Sequence, residues 1–242
     1  MADVSPGFRM KQFYVRHDRS SMRVGTDAVL LGAWTPLGAH VLDIGTGCGI
    51  IALMVAQRLA ATATHDWHID AIDIDPQSAH QAAENFAASP WTTHLSAYCA
   101  DLNDWVGQYD LIVSNPPFFP NGLLSPNPQR AAARQASVSL TAQMLMDGAC
   151  SLLNPDGQLA VIVPATEADL ITRHAINHQL NMVQRCRVCT IPNRPASRIL
   201  LVFCRQVNHL RQTACRESEL TLSSADSPRS EQYKRLTQDF YL

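Results

Sequence analysis

The sequence predicts an α/β fold in which a seven-stranded, mostly parallel sheet ends in an antiparallel hairpin. From residue 41 to residue 163, short apolar runs alternate with helical patterns, as is typical of βαβ units on a parallel sheet. After Leu180, two strand-like runs follow one another without a helix, and their short connection predicts antiparallel pairing. A chain of 242 residues that is 46% apolar and 17% charged is long enough to bury a substantial core.

Seven apolar runs give the expected strands, and the segments between the parallel ones predict helices. The strands are expected at residues 41–44, 68–74, 94–98, 109–114, 158–163, 182–191 and 198–205. Residues 50–59 are almost continuously apolar and predict a buried helix. Asp75 and Pro76 supply the N-cap and the first turn of a second helix, and residues 140–152 have the spacing of a third. A turn at residues 154–157 is expected before the next strand.

We expect a single domain over residues 1–242. Within it, residues 1–36 form a segment close to the ligands, residues 37–206 form the sheet with its helices, and residues 207–242 form a C-terminal tail. Residues 218–230 are polar enough to be loose.

The cysteine content and the absence of apolar leader or spanning runs predict a cytoplasmic location. The seven cysteines are odd in number and widely spread, which favours reduced thiols over a disulfide framework. The first residues lack the apolar run of a signal peptide, and no uncharged apolar stretch reaches the roughly 18 residues that span a bilayer.

Charged residues are distributed unevenly along the chain. Residues 1–25 carry five basic and two acidic side chains, residues 26–180 carry four and fourteen, and residues 181–242 carry ten and five. Seventeen of the nineteen cations are Arg, whose guanidinium binds phosphate bidentately and stacks on bases. A solvated surface and a nucleic-acid-binding surface both agree with this pattern, because the net charge is only −2.

A glycine-rich loop follows the first strand of the predicted sheet. Asp43 lies near the end of that strand, and Gly45, Gly47 and Gly49 lead into the next helix. Glycines at such a place let the backbone turn tightly and approach a ligand closely. The third glycine comes one residue too early for the G-x-G-x-x-G fingerprint of nicotinamide-binding folds, and an acid precedes the first glycine by two residues.

Two more acids lie at predicted strand ends. Asp73 ends the second strand, where a carboxylate can accept both hydroxyls of a ribose, and Asp101 with Leu102 follows the third, where it can bind an adenine edge. Together with the glycine loop these acids resemble those of the class I S-adenosylmethionine-dependent methyltransferases, which have a Rossmann-like fold. The resemblance implies that Asp43 organises the loop under the methionine end of S-adenosylmethionine, that Asp73 binds the ribose and that Asp101 lies beside the adenine. Each acid alone could instead cap a helix or a turn.

The fourth predicted strand runs directly into Asn115, Pro116, Pro117 and Phe118. Two prolines cannot continue the hydrogen-bond ladder of a strand, and the break falls where α/β sheets bind ligands. The Asn115 amide oxygen and a backbone carbonyl of the Pro-Pro turn could together accept both protons of an exocyclic amine. Phe118 could stack on an extruded base. Without this context, the four residues would be interpreted as a structural turn.

The motif resembles the N-P-P-[YF] signature of methyltransferases that act on planar amines. Residues 8–34 resemble more closely the bacterial enzymes that methylate N6 of the adenine at position 37, beside the anticodon, of a valine transfer RNA. This resemblance covers nearly the whole chain. It implies S-adenosylmethionine as methyl donor and Thr26, Asp27 and Asn115 as cofactor contacts. It also implies tRNA as the partner of the basic ends, including Arg194 and Arg198.

Three other functions remain open at this point: methylation of guanine N2 in ribosomal RNA, methylation of glutamine N5 in a protein, and nucleotide binding without catalysis. No metal site is expected. Cys186 and Cys189 form a single C-x-x-C without a second pair, and His174 and His178 have no third ligand nearby in the sequence.

Overall fold

An eight-stranded sheet with helices on both faces forms the centre of the protein. The computed structural model describes residues 7–116, 140–205, 214–224 and 226–242, and the elements named here lie within those ranges. The strands are β1 (Gly7–Arg9), β2 (Tyr14–Arg16), β3 (His40–Ile44), β4 (His68–Asp73), β5 (Leu95–Cys99), β6 (Tyr109–Ser114), β7 (Leu153–Pro164), β8 (Leu180–Cys189), β9 (Arg198–Arg205) and β10 (Arg216–Thr221). The α-helices are α1 (Thr26–Trp34), α2 (Ile50–Ala60), α3 (Pro76–Ala87), α4 (Ala142–Leu152), α5 (Ala168–Asn177) and α6 (Glu231–Thr237), and short 3-10 helices cover Thr92–His94 and Leu102–Asp104.

The strand order in the large sheet is β10-β8-β9-β7-β6-β3-β4-β5. Only β9 runs antiparallel to its neighbours β7 and β8, whereas the remaining pairs are parallel. The predicted α/β fold, with a mostly parallel sheet and an antiparallel C-terminal hairpin, is therefore confirmed. The sheet contains one strand more than the seven predicted, because β10 pairs in parallel with β8.

The segment expected to be loose begins inside this extra strand, so that expectation is wrong for its first residues. Strand β10 is polar and exposed except near Leu220, which is why the pattern of apolar residues did not indicate a strand. Ser230 ends the segment by accepting a hydrogen bond from the Tyr233 N–H at 3.0 Å and thus capping α6. The division into residues 1–36, 37–206 and 207–242 stays a prediction.

Helices α1, α2 and α3 cover one face of the sheet, and α4 and α5 cover the other. Neighbouring residues on β3 belong to different cores, since Val41 packs with α1 to α3 and Leu42 packs with α4 and α5. Burial on both faces explains why the parallel strands are continuous apolar runs. No helix among the described residues is long and apolar enough to cross a membrane.

The turn predicted at residues 154–157 lies within the bounds of β7, as an irregularity of that strand. This strand starts at Leu153, which pairs with Tyr109, and its pairing with β6 shifts register before Gln158 pairs with Leu111. A Cβ on Gly157 would lie 2.8 Å from the Tyr109 carbonyl oxygen. Residues 154–157 therefore stand opposite the single residue Asp110, and the chain folds back so that a Cβ on Gly157 would also lie 3.0 Å from the Asn154 backbone.

The two ends of the chain meet on the face that carries α1 and α2. The Lys11 N–H donates to the Phe240 carbonyl oxygen at 2.8 Å. Gln57, buried near the end of α2, donates from Nε2 to the Asp239 carbonyl oxygen at 2.7 Å. Phe240 is therefore fixed to Lys11, and Asp239 is fixed to α2.

Candidate active site

The carboxyl ends of four parallel strands bring the predicted site residues to one edge of the sheet. Ile44 of β3 pairs with Ile72 of β4 on one side and with Ser114 of β6 on the other, and Asp73 pairs with Cys99 of β5. The glycine loop, Asp73, Asp101 and Asn115 follow these positions. This is the edge at which open α/β sheets bind their ligands.

The glycine loop has a backbone that other residues adopt only with strain. Gly45, Gly47 and Gly49 have φ angles of 70°, 58° and 82°. A Cβ on Gly49 would lie 2.5 Å from the Phe86 ring, whereas a Cβ on Gly45 would have no atom within 4 Å. Gly49 is therefore required by internal packing, and Gly45 leaves open space at the outer side of the loop.

Asp43 lies fully buried beneath the loop. Its Oδ2 accepts a hydrogen bond from the Thr46 hydroxyl at 2.7 Å, and its Oδ1 has no hydrogen-bond partner among the described residues. Burial raises the pKa of Asp43 to about 7, the negative charge of Asp73 adds to the rise, and Thr46 opposes it. A cationic ligand above the loop would favour the ionised form of this carboxyl group.

Asp73 connects the end of β4 to the glycine loop. Its two oxygens accept hydrogen bonds from the Gly47 N–H at 2.8 Å and from the Asp75 N–H at 2.9 Å. The carboxylate is 8% exposed, and burial raises its pKa. Asp73 therefore shapes the loop, and each of its oxygens keeps a second lone pair for a ligand.

Asp101 is a capping residue in this structure. Its Oδ1 accepts hydrogen bonds from the backbone N–H and the side-chain amide of Asn103, both at 2.9 Å, at the start of a 3-10 helix. The Leu102 side chain is buried in the core with α4 and α5. Ile74, which directly follows Asp73 and is 41% exposed at this edge, was not among the predicted site residues. The sequence signal for it is an apolar residue immediately after an acid that ends a strand.

Asn115 follows β6 at the centre of the edge and is half-buried, and Pro116 is buried. The Ser114 hydroxyl donates to the Ile44 carbonyl oxygen at 2.9 Å, which fixes the end of β6 against β3. Pro117 and Phe118 lie outside the described residues.

Thr26 and Asp27 form the first turn of α1, a helix that the sequence analysis did not predict. Asp27 Oδ2 accepts a hydrogen bond from Nε of Arg198 at 2.8 Å. Arg198 begins β9 and pairs with Pro164 at the end of β7, so it lies at the same sheet edge. Asp27, which was predicted to contact the cofactor, and Arg198, which was predicted to contact tRNA, thus form an ion pair with each other. Arg194 is exposed in the loop between β8 and β9.

Cysteines and histidines form no metal centre within the described ranges, where no group of three or more potential ligands comes together. All seven cysteines are free thiols. Cys186 and Cys189 are buried in β8.

Comparison with known proteins places this geometry in a family. Residues 20–187 match the family described as the methyltransferase small domain. Two proteins named tRNA1(Val) (adenine(37)-N6)-methyltransferase are similar throughout. The one from Aeromonas salmonicida is 42% identical over 239 residues, which are 98% of this chain and 97% of the relative. The one from Pectobacterium carotovorum is 40% identical over 242 residues, with 98% and 94% covered.

A crystal structure described as a predicted O-methyltransferase from Agrobacterium tumefaciens has a similar fold. Its TM-score is 0.65 at 15% identity, with 88% of this chain and 96% of that chain covered. The family match contains β3 to β7, most of β8 and all candidate site residues apart from Arg194 and Arg198. The chain therefore belongs to the methyltransferase small domain family and has the Rossmann-like fold of class I S-adenosylmethionine-dependent methyltransferases.

Proposed function

We propose that this methyltransferase transfers a methyl group from S-adenosylmethionine to N6 of an adenine in tRNA, and that the adenine is at position 37 of a valine tRNA. The names of relatives that are 42% and 40% identical over nearly their whole length support this substrate. The arrangement of the sheet edge carries the proposal. Asn115, directly after β6, lies between the acids at the carboxyl ends of β3, β4 and β5 and the arginine that begins β9.

The residues at the carboxyl ends of β3, β4 and β5 fit the cofactor. Gly45 leaves open space above the loop, Asp73 has lone pairs for the ribose hydroxyls, and Ile74 offers an exposed apolar side chain to a flat ring. When bound, S-adenosylmethionine supplies a sulfonium methyl group and leaves as S-adenosylhomocysteine. Asp43, buried under the loop, stabilises positive charge on that side of the site.

The adenine end of the cofactor would lie beside Asp101 and Leu102. Because the Leu102 side chain is buried, its contact with the adenine would be made by the backbone. The N–H at the first position of a helix has no acceptor within that helix, and Leu102 holds this position.

Asn115 would accept one proton of the substrate amine with its amide oxygen, and the backbone carbonyl of the following Pro-Pro turn would accept the other. These hydrogen bonds draw the nitrogen lone pair out of conjugation with the ring and aim it at the methyl carbon. The amine nitrogen would accept the methyl group that the bound cofactor supplies, with the cofactor sulfur as the leaving group, and the amine would then lose a proton to solvent. Pro116, Pro117 and Phe118 would hold the base, so positioning supplies most of the catalysis.

The loop between β8 and β9 would contact the RNA. It projects from the same edge as Asn115 and carries the exposed Arg194, whose guanidinium can bind a phosphate. Arg198 is bound to Asp27 and would instead fix Thr26 and Asp27 near the methionine end of the cofactor. We also propose a cytoplasmic location, which the seven free thiols favour.

Asn115→Ala tests the catalytic role. The amide oxygen acts mainly when the amine nitrogen becomes tetrahedral in the transition state, so turnover should fall roughly 100-fold or more, far more than the cofactor affinity. The assay is single-turnover methylation of an anticodon stem-loop containing the target adenine. Arg194→Ala is the matched variant, since it should weaken stem-loop binding, reduce the logarithmic salt slope by roughly 0.7 to 0.9 and leave saturated turnover intact.

Near-normal turnover by Asn115→Ala would refute its role. A stem-loop with guanine in place of the target adenine separates the substrates, because methylation of that RNA alone would identify a guanine methyltransferase. Absence of transfer to either RNA by a protein that binds the cofactor would contradict the tRNA proposal.

A further inference from the structure

A short segment of the N-terminal chain crosses α3 and is held there by buried side chains. We call residues 16–21 the strap. Gln81 accepts hydrogen bonds with Oε1 from the backbone N–H groups of Arg19 (3.1 Å) and Ser20 (2.8 Å). Its Nε2 donates to Asp18 Oδ1 at 2.7 Å. One side chain of α3 thus binds three consecutive residues of the strap.

Asn85, one turn further along α3, binds the strap and the glycine loop at once. Its Oδ1 accepts from the Arg16 N–H at 3.0 Å. Its Nδ2 donates to the carbonyl oxygens of Arg16 and Cys48, both at 2.8 Å. Cys48 lies between Gly47 and Gly49, so Asn85 is hydrogen-bonded directly to the glycine loop.

These polar residues form one face of α3 and are buried. Ser78 and Gln81 have no exposed surface, and Asn85 is 2% exposed. The Ser78 hydroxyl accepts from the Ser21 N–H at 3.2 Å and donates to Asp75 at 2.6 Å. Burying polar side chains is unfavourable unless their hydrogen bonds are made, and here they are made to the strap and the loop. Apolar residues on this face of α3 would pack without needing hydrogen-bond partners.

The strap lies directly against the glycine loop. A Cβ on Gly47 would be 3.3 Å from the Ser20 hydroxyl oxygen. The loop is therefore fixed at three places: Asp73 binds the Gly47 N–H, Asn85 binds the Cys48 carbonyl, and Ser20 covers Gly47. Movement of the strap would remove one wall of the loop.

We infer that Gln81 and Asn85 are positioning residues of the cofactor site: through the strap and Cys48 they hold the glycine loop in the shape that binds S-adenosylmethionine. Neither needs to touch the cofactor. The inference rests on the proposed function for the identity of this ligand. It adds that a buried polar face of α3, which binds the strap and the loop, sets the cofactor affinity.

The test compares two buried glutamines. Gln81→Leu removes the bonds to the strap. Gln57→Leu removes a bond of the same kind to Asp239, about 10 Å along α2 from the loop. Calorimetry with S-adenosylhomocysteine should show at least a tenfold weaker affinity for Gln81→Leu and wild-type affinity for Gln57→Leu. Hydrogen exchange of the ligand-free proteins should show faster exchange at Arg19 and Ser20 in Gln81→Leu alone.

Gln81→Glu replaces Gln81→Leu in the affinity measurement if the leucine variant does not fold. It keeps the acceptor for Arg19 and Ser20 but places a carboxylate against Asp18, so it should weaken affinity by a few-fold. Wild-type affinity in the Gln81 variants, or equal losses in Gln81→Leu and Gln57→Leu, would overturn the inference. Failure of the proposed cofactor would be recognised separately, because the wild type itself would then not bind.

Discussion

Replacement of Asp43 by Asn should abolish a large part of the pH dependence of stability. The carboxyl group is buried beneath the glycine loop, and burial raises its pKa to about 7 from an ordinary value of 3.8. Folding therefore takes up a proton between these two pH values. Since the folded state binds more protons than the unfolded state in this window, the free energy of unfolding falls as pH rises through it.

The magnitude follows from the two pKa values. A difference of about three units at about 1.36 kcal/mol per unit corresponds to roughly 4 kcal/mol. Below pH 4 the protonated carboxyl group resembles the amide of Asn, so the two proteins should then differ least. At pH 8 the wild type carries a buried charge, whereas the amide of the variant is neutral. The stability difference between variant and wild type should thus change by roughly 4 kcal/mol in favour of Asp43→Asn.

Urea denaturation of both cofactor-free proteins from pH 4 to pH 9 measures this difference, and titrating groups that do not interact with Asp43 cancel in the subtraction. Thr46→Val is a second variant that tests the same argument, because the Thr46 hydroxyl donates a hydrogen bond to Asp43 and lowers the pKa of Asp43. Without this bond, the window in which stability falls should extend to higher pH. A stability difference for Asp43→Asn that varies by less than about 1 kcal/mol over the range would refute the reasoning.

Two further predictions concern glycines and an ion pair. Gly45→Ala should lower the free energy of unfolding by only the roughly 1 to 2 kcal/mol of left-handed backbone strain, yet strongly weaken S-adenosylhomocysteine binding. Gly49→Ala should lose more stability, because its methyl group meets a buried ring of α3. Equal ranking of the two variants in calorimetry of binding and in denaturation would contradict this. The His174 carbonyl and Asp147 raise the pKa of His178. Its contribution to stability should thus be complete below pH 6.5 and be lost as pH rises through the raised value, so His178→Gln should destabilise at pH 5.5 and matter less at pH 9 in denaturation curves.

The central sheet could be predicted because its strands are buried on both faces. The bounds of β6 and β9 agree with the apolar runs at residues 109–114 and 198–205. Strand β10 could not be found this way, since its stability comes from backbone hydrogen bonds to β8 rather than from apolar side chains. The turn signals at residues 154–157 are local, but they do not show that the strand already pairs with β6 at Leu153, before the turn, and resumes pairing at Gln158.

The candidate site was predictable where it depends on local sequence and hidden where it depends on distant contacts. The glycine spacing and the acids at strand ends are local signals, and the structure places them at one edge. The Asp27–Arg198 pair joins residues 171 positions apart, and Gln81 lies 61 positions from Ser20. Asp101 shows the converse, because a local pattern of helix capping explains its side-chain contacts in the structure.

The ion pair between Asp27 and Arg198 anchors the N-terminal segment at a second place, in addition to Ser20 beside the glycine loop. It also gives Arg198 a different role from Arg194, although both were predicted to bind RNA. From Ser20 beside the glycine loop, the chain continues to Asp27 beside β9, and β6 and β7 lie between β3 and β9. Three strand spacings amount to about 14 Å, and seven extended residues can cover this distance. The two anchors therefore lie on either side of β6 and β7 at the carboxyl edge, and Asn115 directly follows β6. Arg198 fixes Asp27 at this edge, whereas Arg194 remains exposed to solvent and able to bind phosphate.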